Sequence, residues 1–156
     1  MEEISSKLFN SPLEISLRLI YILNASGKSF DLQRLIYYNY LIIHSADVPE
    51  APESMHPALP KRACEMLVNR KIIKKALNLL ISKSLIKVQY TKSGIKYKSI
   101  PETEFIANHF NSAYSKQLKE RSKWLVEKFD SISDTQLAKL MNENIGKWGS
   151  EFTLSY

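Results

Sequence analysis

The chain of 156 residues is 44% hydrophobic and 24% charged, and glycine and proline together contribute only ten residues. This length predicts one domain, or one domain with a helical extension. The composition excludes a disordered tail, a collagen-like fibre and a disulfide-stapled scaffold. Cys64 is the single cysteine, which excludes an internal disulfide and a cysteine-cluster metal site.

The most apolar stretch, residues 35–43, contains three tyrosines and an asparagine and is far too short to span a bilayer. Two glutamates follow the initial methionine, and no apolar segment of a secretory signal is visible. We therefore expect a soluble, cytoplasmic, mainly helical protein without a membrane partner.

The positive charge is concentrated in one part of the sequence. The formal net charge is +6, but residues 61–98 contain eleven Lys or Arg and one acid, Glu65, which leaves the rest of the chain at −4. This asymmetry indicates a face that meets an anionic partner, either nucleic acid or an acidic patch on a protein. A lysine-rich face that only maintains solubility is the alternative.

The first helix has strong boundary signals. Ser11 precedes Pro12, which suits the first helical position, and Gly27 is a C-terminal cap. Its apolar residues recur at helical spacing on a wide stripe, so the helix is predicted to be buried on more than one side. These residues include Leu13, Leu17, Ile20 and Leu23.

A second helix is predicted from Asp31, as its cap, to residue 43. Its three tyrosines, Tyr37, Tyr38 and Tyr40, either close the edge of the core or form an interface.

Residues 45–60 form a long irregular stretch with four of the six prolines. Because such a loop is long for a compact domain, its length favours a functional or docking role. Histidines and carboxylates lie in or beside it, but they have no recognised metal-ligand spacing, so no metal site is expected.

The basic segment follows this loop. We predict a short helix from residue 60, a break near Asn69 and an amphipathic helix over 70–83. The first turns of that amphipathic helix carry four cations, whose charge is unfavourable next to the positive end of the helix dipole. Alternating residues over 86–98 then predict a hairpin with its turn at 91–94.

Helices followed by a two-stranded ribbon occur in this order in a winged-helix domain. The fold expectation is mainly α with a small β-hairpin: a winged-helix-like domain over 1–100 and a C-terminal helical extension over 101–156, packed on that domain or on a partner. Nucleic acid would be contacted by Arg70, Lys71, Lys74, Lys75, Lys87, Lys92, Lys96 and Lys98. Because these residues are mostly lysines, sequence-specific readout by an autonomous DNA-binding regulator is the less favoured hypothesis.

Beyond Pro101 the apolar spacing predicts one helix of about 28 residues, ~42 Å long. This length exceeds the need of a small domain, so part of the helix is expected to pack on another chain or on a second helix. A capping box at 133–136 begins another amphipathic helix. The tail over 151–156 alternates like a strand and is a candidate for sheet addition.

The sequence contains no constellation typical of catalysis. The four glycines lie at predicted caps and turns and form no phosphate-binding loop. Cys64 lies on the apolar side of a short helix, as small core residues do. We therefore expect a protein that is not an enzyme and has no catalytic residues, cofactor or bound metal.

Several ordered segments resemble one known family. They are FNSPLEISLR at 9–18, DLQRL at 31–35, HSAD at 44–47, SMHPALP at 54–60 and the stretch over 62–86, with EMLVNR (65–70) at its centre. Together they are similar to the middle-component proteins of bacterial ABC three-component systems, over roughly residues 8–100. Asn39, Ala46 and Ser84 depart from the family pattern, which would have Gly at position 84.

The resemblance implies a non-enzymatic subunit that joins an SMC-like ABC ATPase to an effector, such as a nuclease, and restrains that effector. Lamassu-type defence against phages and plasmids is the best-known setting for this architecture. The resemblance implies one of two roles for the family motifs: they contact a partner, or they determine the fold. The residues expected to contact a partner are Phe9, Arg18, Tyr37, Tyr38, Tyr40, His44, Asp47 and His56.

Overall fold

The computed structural model describes residues 11–45, 48, 50–55 and 62–148, with the side chains of 62–68 and 145–148 left out. Within this part the chain forms six helices and one hairpin. The elements are α1 (Pro12–Ser26), α2 (Leu32–Ile43), α3 (Arg62–Ser82), β1 (Ile86–Thr91), β2 (Gly94–Ser99), α4 (Pro101–His109), α5 (Ala113–Phe129) and α6 (Asp134–Trp148). The mainly helical class with a small hairpin is thus confirmed.

The predicted caps of the first two helices are confirmed. The Ser11 hydroxyl accepts from the Glu14 amide at 3.2 Å, and Gly27 ends α1 with a φ of 69°. The Asp31 carboxylate accepts from the Arg34 amide at 2.9 Å. Each cap satisfies an amide that the helix itself leaves without a partner.

Helix α1 is the centre of the packing and contacts α2, α3, α4 and α5. Its buried residues, such as Ile15 and Leu19, join one continuous hydrophobic core. That core also includes Leu118 and Leu125 of α5 and Leu137 of α6. The C-terminal helices therefore pack on the N-terminal ones and complete their core. Leu13, predicted to lie in the buried stripe of α1, is instead 75% exposed.

Helix α3 runs unbroken through Asn69, so the predicted break there is wrong. Asn69 is 3% exposed and lies on the packed side together with Ile73 and Leu77, so burial on that side outweighs its low helix propensity. The cations at 70–75 consequently lie in the middle of a 21-residue helix. The predicted repulsion between these cations and the helix dipole is therefore wrong, because the dipole acts on charges only in the terminal turns of a helix.

The single long helix predicted after Pro101 is also wrong. The chain breaks at Phe110, whose φ of −92° and ψ of 134° are extended, and Ser112 caps α5 by accepting from the Ser115 amide at 3.1 Å. The break lets α4 and α5 both pack on α1, so helix length gives no support for contact with another chain.

The hairpin has the predicted pairing and turn, with Ile86 opposite Ser99 and Thr91 opposite Gly94. Phe30, between α1 and α2, extends the ribbon through an antiparallel bridge to Tyr97, with backbone hydrogen bonds of 2.9 and 2.8 Å. The bridge ties the hairpin to the first two helices. Assignment to the winged-helix class stays a prediction.

Helix α3 ends at a left-handed Ser84, with a φ of 56°. The Leu85 amide donates to the Leu80 carbonyl at 2.9 Å and the Ser84 amide to that of Ile81 at 3.0 Å. This is the pattern of a Schellman cap, in which glycine is favoured at the left-handed position. The departure from glycine that the resemblance identified thus falls where the backbone favours glycine.

Candidate interaction surfaces

Arg18, one of the residues expected to contact a partner, is fully buried between α1 and α2. Its Nη1 donates to Asn39 Oδ1 at 3.1 Å. Tyr114 of α5 lies beside the same guanidinium and beside Glu14. Burial, together with the Glu14 carboxylate, raises the pKa of Tyr114 to about 12 against the opposing effect of Arg18. These groups form a polar centre that links α1, α2 and α5.

Arg34 forms a second buried polar centre. Its Nη1 contacts Asp134 Oδ1 at 2.7 Å, and its Nη2 donates to the carbonyls of Phe129 and Ile132 at 2.6 and 2.8 Å. Nε and Nη2 both donate to the Tyr38 hydroxyl, at 3.2 and 3.1 Å. One side chain of α2 thereby holds the turn between α5 and α6.

Asp130 completes this second centre. Tyr38 donates to Asp130 Oδ1 at 2.7 Å, and the Ser26 hydroxyl donates to Oδ2 at 2.6 Å. Burial and the hydrogen bond to Asp130 raise the pKa of Tyr38 above its ordinary value. The hydroxyl therefore stays protonated and donates a hydrogen bond to the carboxylate.

The predicted partner-contact residues that the structure describes therefore lie inside the molecule. Tyr37 is 8% exposed, Tyr40 1%, and His44 1% with its ring 4.8 Å from that of Tyr40. Arg18 and Tyr38 are buried as well, so the isolated domain exposes almost none of the surface of these five side chains. Partner contact through them stays a prediction. The other three, Phe9, Asp47 and His56, lie outside the described residues.

The described part of the long loop packs on the domain. The buried Ser45 hydroxyl donates to the Pro52 and Glu53 carbonyls at 2.9 and 3.0 Å. Arg121 Nε of α5 donates to the Glu53 carbonyl at 3.2 Å. Within the described ranges, no group of His, Cys, Asp and Glu is arranged to hold a metal. The predicted strand-like tail at 151–156 and the side chain of Cys64 lie outside those ranges.

The basic residues predicted to contact nucleic acid lie on the surface. On α3, Lys71, Lys74 and Lys75 are exposed, whereas Ile73 and Leu77 face the core. This confirms the predicted amphipathic pattern over 70–83. Arg70 is also exposed and donates to Gln33 Oε1 at 3.1 Å.

The hairpin carries lysines along one face. Lys87 is paired directly opposite Lys98, and Lys96 opposite Gln89. Lys87 and the turn residue Lys92 are exposed, and Lys96 and Lys98 are half-buried. Among the described residues, no carboxylate forms an ion pair with any of these lysines.

The other face of the hairpin is apolar but only partly covered. Ile86 is buried and Tyr97 half-buried, and burial raises the pKa of Tyr97. Towards the turn, Tyr90 is 84% exposed and its cross-strand partner Ile95 is 49% exposed. The tip thus presents an aromatic and an aliphatic side chain to solvent.

A second exposed apolar surface lies on α4. Phe105 is 70% exposed and Phe110 45%, and the His109 ring lies between them at 6.2 and 5.5 Å. A groove of about 400 Å³ is lined by Pro101, Glu104, Phe105, Asn108 and His109. The opposite side of α4 is held by Thr103 and Ala107, which are buried.

Sequence reasoning assigned Phe105 and Phe110 to the packed stripe of one long helix. The buried side of α4 carries the small residues Thr103 and Ala107. A search for large apolar residues therefore identifies the exposed side of this helix as the packed one. The signal available in the sequence was Ser112, a residue type preferred at helix N-caps, which begins a new helix at Ala113. No comparable signal marks Tyr90, because its alternation with Gln89 is that of any hairpin.

No helix within the described ranges has the length and apolar character to cross a membrane. A family model described as "ABC-three component (ABC-3C) system Middle Component 2" matches residues 8–151 of the chain. The match extends past the segment in which the resemblance was visible, through the C-terminal helices. No curated protein and no solved structure matches the chain.

Proposed function

Because the chain belongs to the middle component 2 family of ABC-three component systems, we propose that it is a non-enzymatic scaffold subunit that bridges an SMC-like ABC ATPase and an effector nuclease. Membership of a multi-component system implies partner subunits. In this proposal the scaffold also restrains the effector until the ATPase responds to foreign DNA. The setting is defence of the Lamassu type against phages or plasmids.

The observation that carries the scaffold proposal is the aromatic face of α4. A scaffold needs surface that other chains can desolvate, and clustered exposed apolar side chains are typical of such surface. Phe105 is 70% exposed although the core beside it is complete. Leu13, at the start of α1, adds a further exposed apolar residue, 75% exposed.

The spacing on α4 suits a partner helix. Pro101, Phe105 and His109 follow one another at four-residue intervals, and Glu104 and Asn108 lie beside them in the groove. Residues at this spacing share one side of a helix and receive the ridge of another helix laid against them. We therefore assign the α4 face to one of the two partner subunits.

The test is reconstitution from purified subunits of the same system. Phe105→Glu should abolish one of the two pairwise complexes and leave the other intact, because a buried unpaired carboxylate is strongly unfavourable. Tyr90→Glu is the matched control, since Tyr90 is also an exposed aromatic residue but lies on the hairpin. Retention of both pairwise complexes by Phe105→Glu would remove α4 from the proposed interface.

A further inference from the structure

We propose that the hairpin and the exposed side of α3 form a sequence-independent site for single-stranded nucleic acid, in which lysines contact phosphates and Tyr90 stacks on an unpaired base. This site is separate from the α4 face. The inference does not depend on the scaffold function.

The first observation is uncompensated positive charge. Residues 70–98 contain nine Lys or Arg and no Asp or Glu. Within the described residues the lysines of α3 and the hairpin have no carboxylate partner. A polyanion is the ligand class that such a surface attracts.

The second observation is that like charges lie side by side within each of the two elements. Lys87 and Lys98 are directly opposite on adjacent strands, an arrangement that destabilises a hairpin. On α3, Lys71 lies three and four residues from Lys74 and Lys75, where like charges also oppose helix formation. Because phosphates between these cations would relieve both repulsions, the arrangement favours a bound polyanion.

The third observation is the tip of the hairpin. Tyr90 is 84% exposed, and the turn beside it is fixed by the Thr91 hydroxyl, which donates to the Gly94 carbonyl at 2.8 Å. Tyr90 lies on the face opposite Lys87 and Lys98, next to the turn. A flexible single strand whose phosphates meet the lysine face can pass round the turn and stack a base on this exposed ring. A paired base inside a duplex does not offer its face, so this ring favours single strands.

The chemistry of the cations points away from sequence readout. Lysine acts as a point charge, whereas arginine reads bases through its planar fork. Arg70, the one arginine of this segment, donates to Gln33. We therefore expect the affinity to depend on salt and strandedness and very little on base sequence.

The experiment uses the full chain and a labelled oligothymidine of about 16 nucleotides, with fluorescence anisotropy measured over a salt series. The log–log slope of the binding constant against salt should be about −3 to −5 if five to seven phosphates are contacted. The triple variant Lys87→Gln, Lys96→Gln, Lys98→Gln should reduce the magnitude of that slope by about 2. A matched triple variant of exposed α5 lysines, Lys116→Gln, Lys123→Gln, Lys128→Gln, should leave it unchanged.

Tyr90→Ala tests the stacking step separately. It should lower the affinity for oligothymidine about tenfold at constant slope, and change the affinity for a duplex of equal length less than twofold. Phe105→Ala, which removes an exposed aromatic outside the basic surface, should leave both affinities unchanged. Circular dichroism of each variant establishes that it is folded.

Three results would overturn the proposal. One is the absence of oligothymidine binding at low salt, and another is an equal loss of slope in the two triple variants. The third is displacement of the oligonucleotide by polyglutamate at equal charge concentration, which would identify the surface as a site for acidic proteins.

Discussion

Two buried arginines organise the interior at the level of single residues. Arg18 and Arg34 are 0% and 5% exposed, and each connects helices that are far apart in sequence. Arg34 reaches Asp134 and the carbonyls of Phe129 and Ile132, between 95 and 100 positions away. Arg18 lies in a family motif and Tyr38 in the tyrosine cluster, and partner contact through either residue stays a prediction. The contacts that both side chains make inside the domain depend on tertiary packing, which no local pattern encodes.

Replacing Arg34 should weaken the hold on the turn between α5 and α6. We expect Arg34→Met to lower the free energy of unfolding by about 2–4 kcal/mol, since it leaves the Phe129 carbonyl and the Tyr38–Asp130 pair without their cation. Asp134→Ala is the control and should cost about 1 kcal/mol or less, because that carboxylate is 56% exposed. Urea denaturation measures both, and equal losses would show that Arg34 acts only through Asp134.

The buried Tyr114 gives the molecule a defined alkaline response. Its pKa is raised from 10.0 to about 12 in the folded chain, so the folded state favours the protonated hydroxyl. The corresponding stability is complete below pH 10 and falls as the pH rises towards 12. Tyr114→Phe should flatten the decline of unfolding free energy over this interval, as followed by circular dichroism at fixed urea. A decline as steep as that of the unmodified chain would contradict the assignment.

At the scale of elements, the helix starts and the hairpin were predictable because their signals are local. Ser11 and Asp31 cap the helices that follow them, and the alternating residues over 86–98 form the expected hairpin with its turn at 91–94. The errors concern continuity. Asn69 lies inside α3, and the chain breaks at Phe110 instead of continuing as one helix. Both outcomes depend on which side of the helix packs on α1, and a propensity argument does not contain that information.

Removing the like-charge pair across the hairpin should raise the stability of the protein and weaken its binding of nucleic acid. Lys98→Glu should raise the free energy of unfolding by about 0.2–1 kcal/mol, because it places a carboxylate opposite Lys87. The same change should weaken oligothymidine binding. Lys92→Glu, in the turn and without a cross-strand partner, should weaken binding with no gain in stability. Thermal unfolding and anisotropy titrations of both variants measure the two effects, and loss of stability in Lys98→Glu would contradict the pairing argument.

At the scale of the whole molecule, the C-terminal helices complete the core that α1 to α3 begin. Leu118, Phe129 and Met141 are buried in the same cluster as Ile15 and Leu35. Sequence reasoning left open whether these helices pack on this chain or on another. Among the described residues, the large apolar side chains that stay exposed lie on α4, next to its end at Phe110, at the start of α1 and at the hairpin tip.

The scaffold proposal makes a claim about assembly that purification from the native locus addresses. The chain should be tagged there and purified gently, and the recovered subunits should be identified and counted. In a strain that lacks the chain, the tag is placed on the ATPase instead. We predict recovery of a coiled-coil ATPase together with an effector, and loss of the effector from the ATPase when this chain is deleted. An ATPase–effector complex that persists without the chain would contradict the bridging role, and recovery of a lone monomer or homodimer would favour an autonomous nucleic-acid-binding regulator.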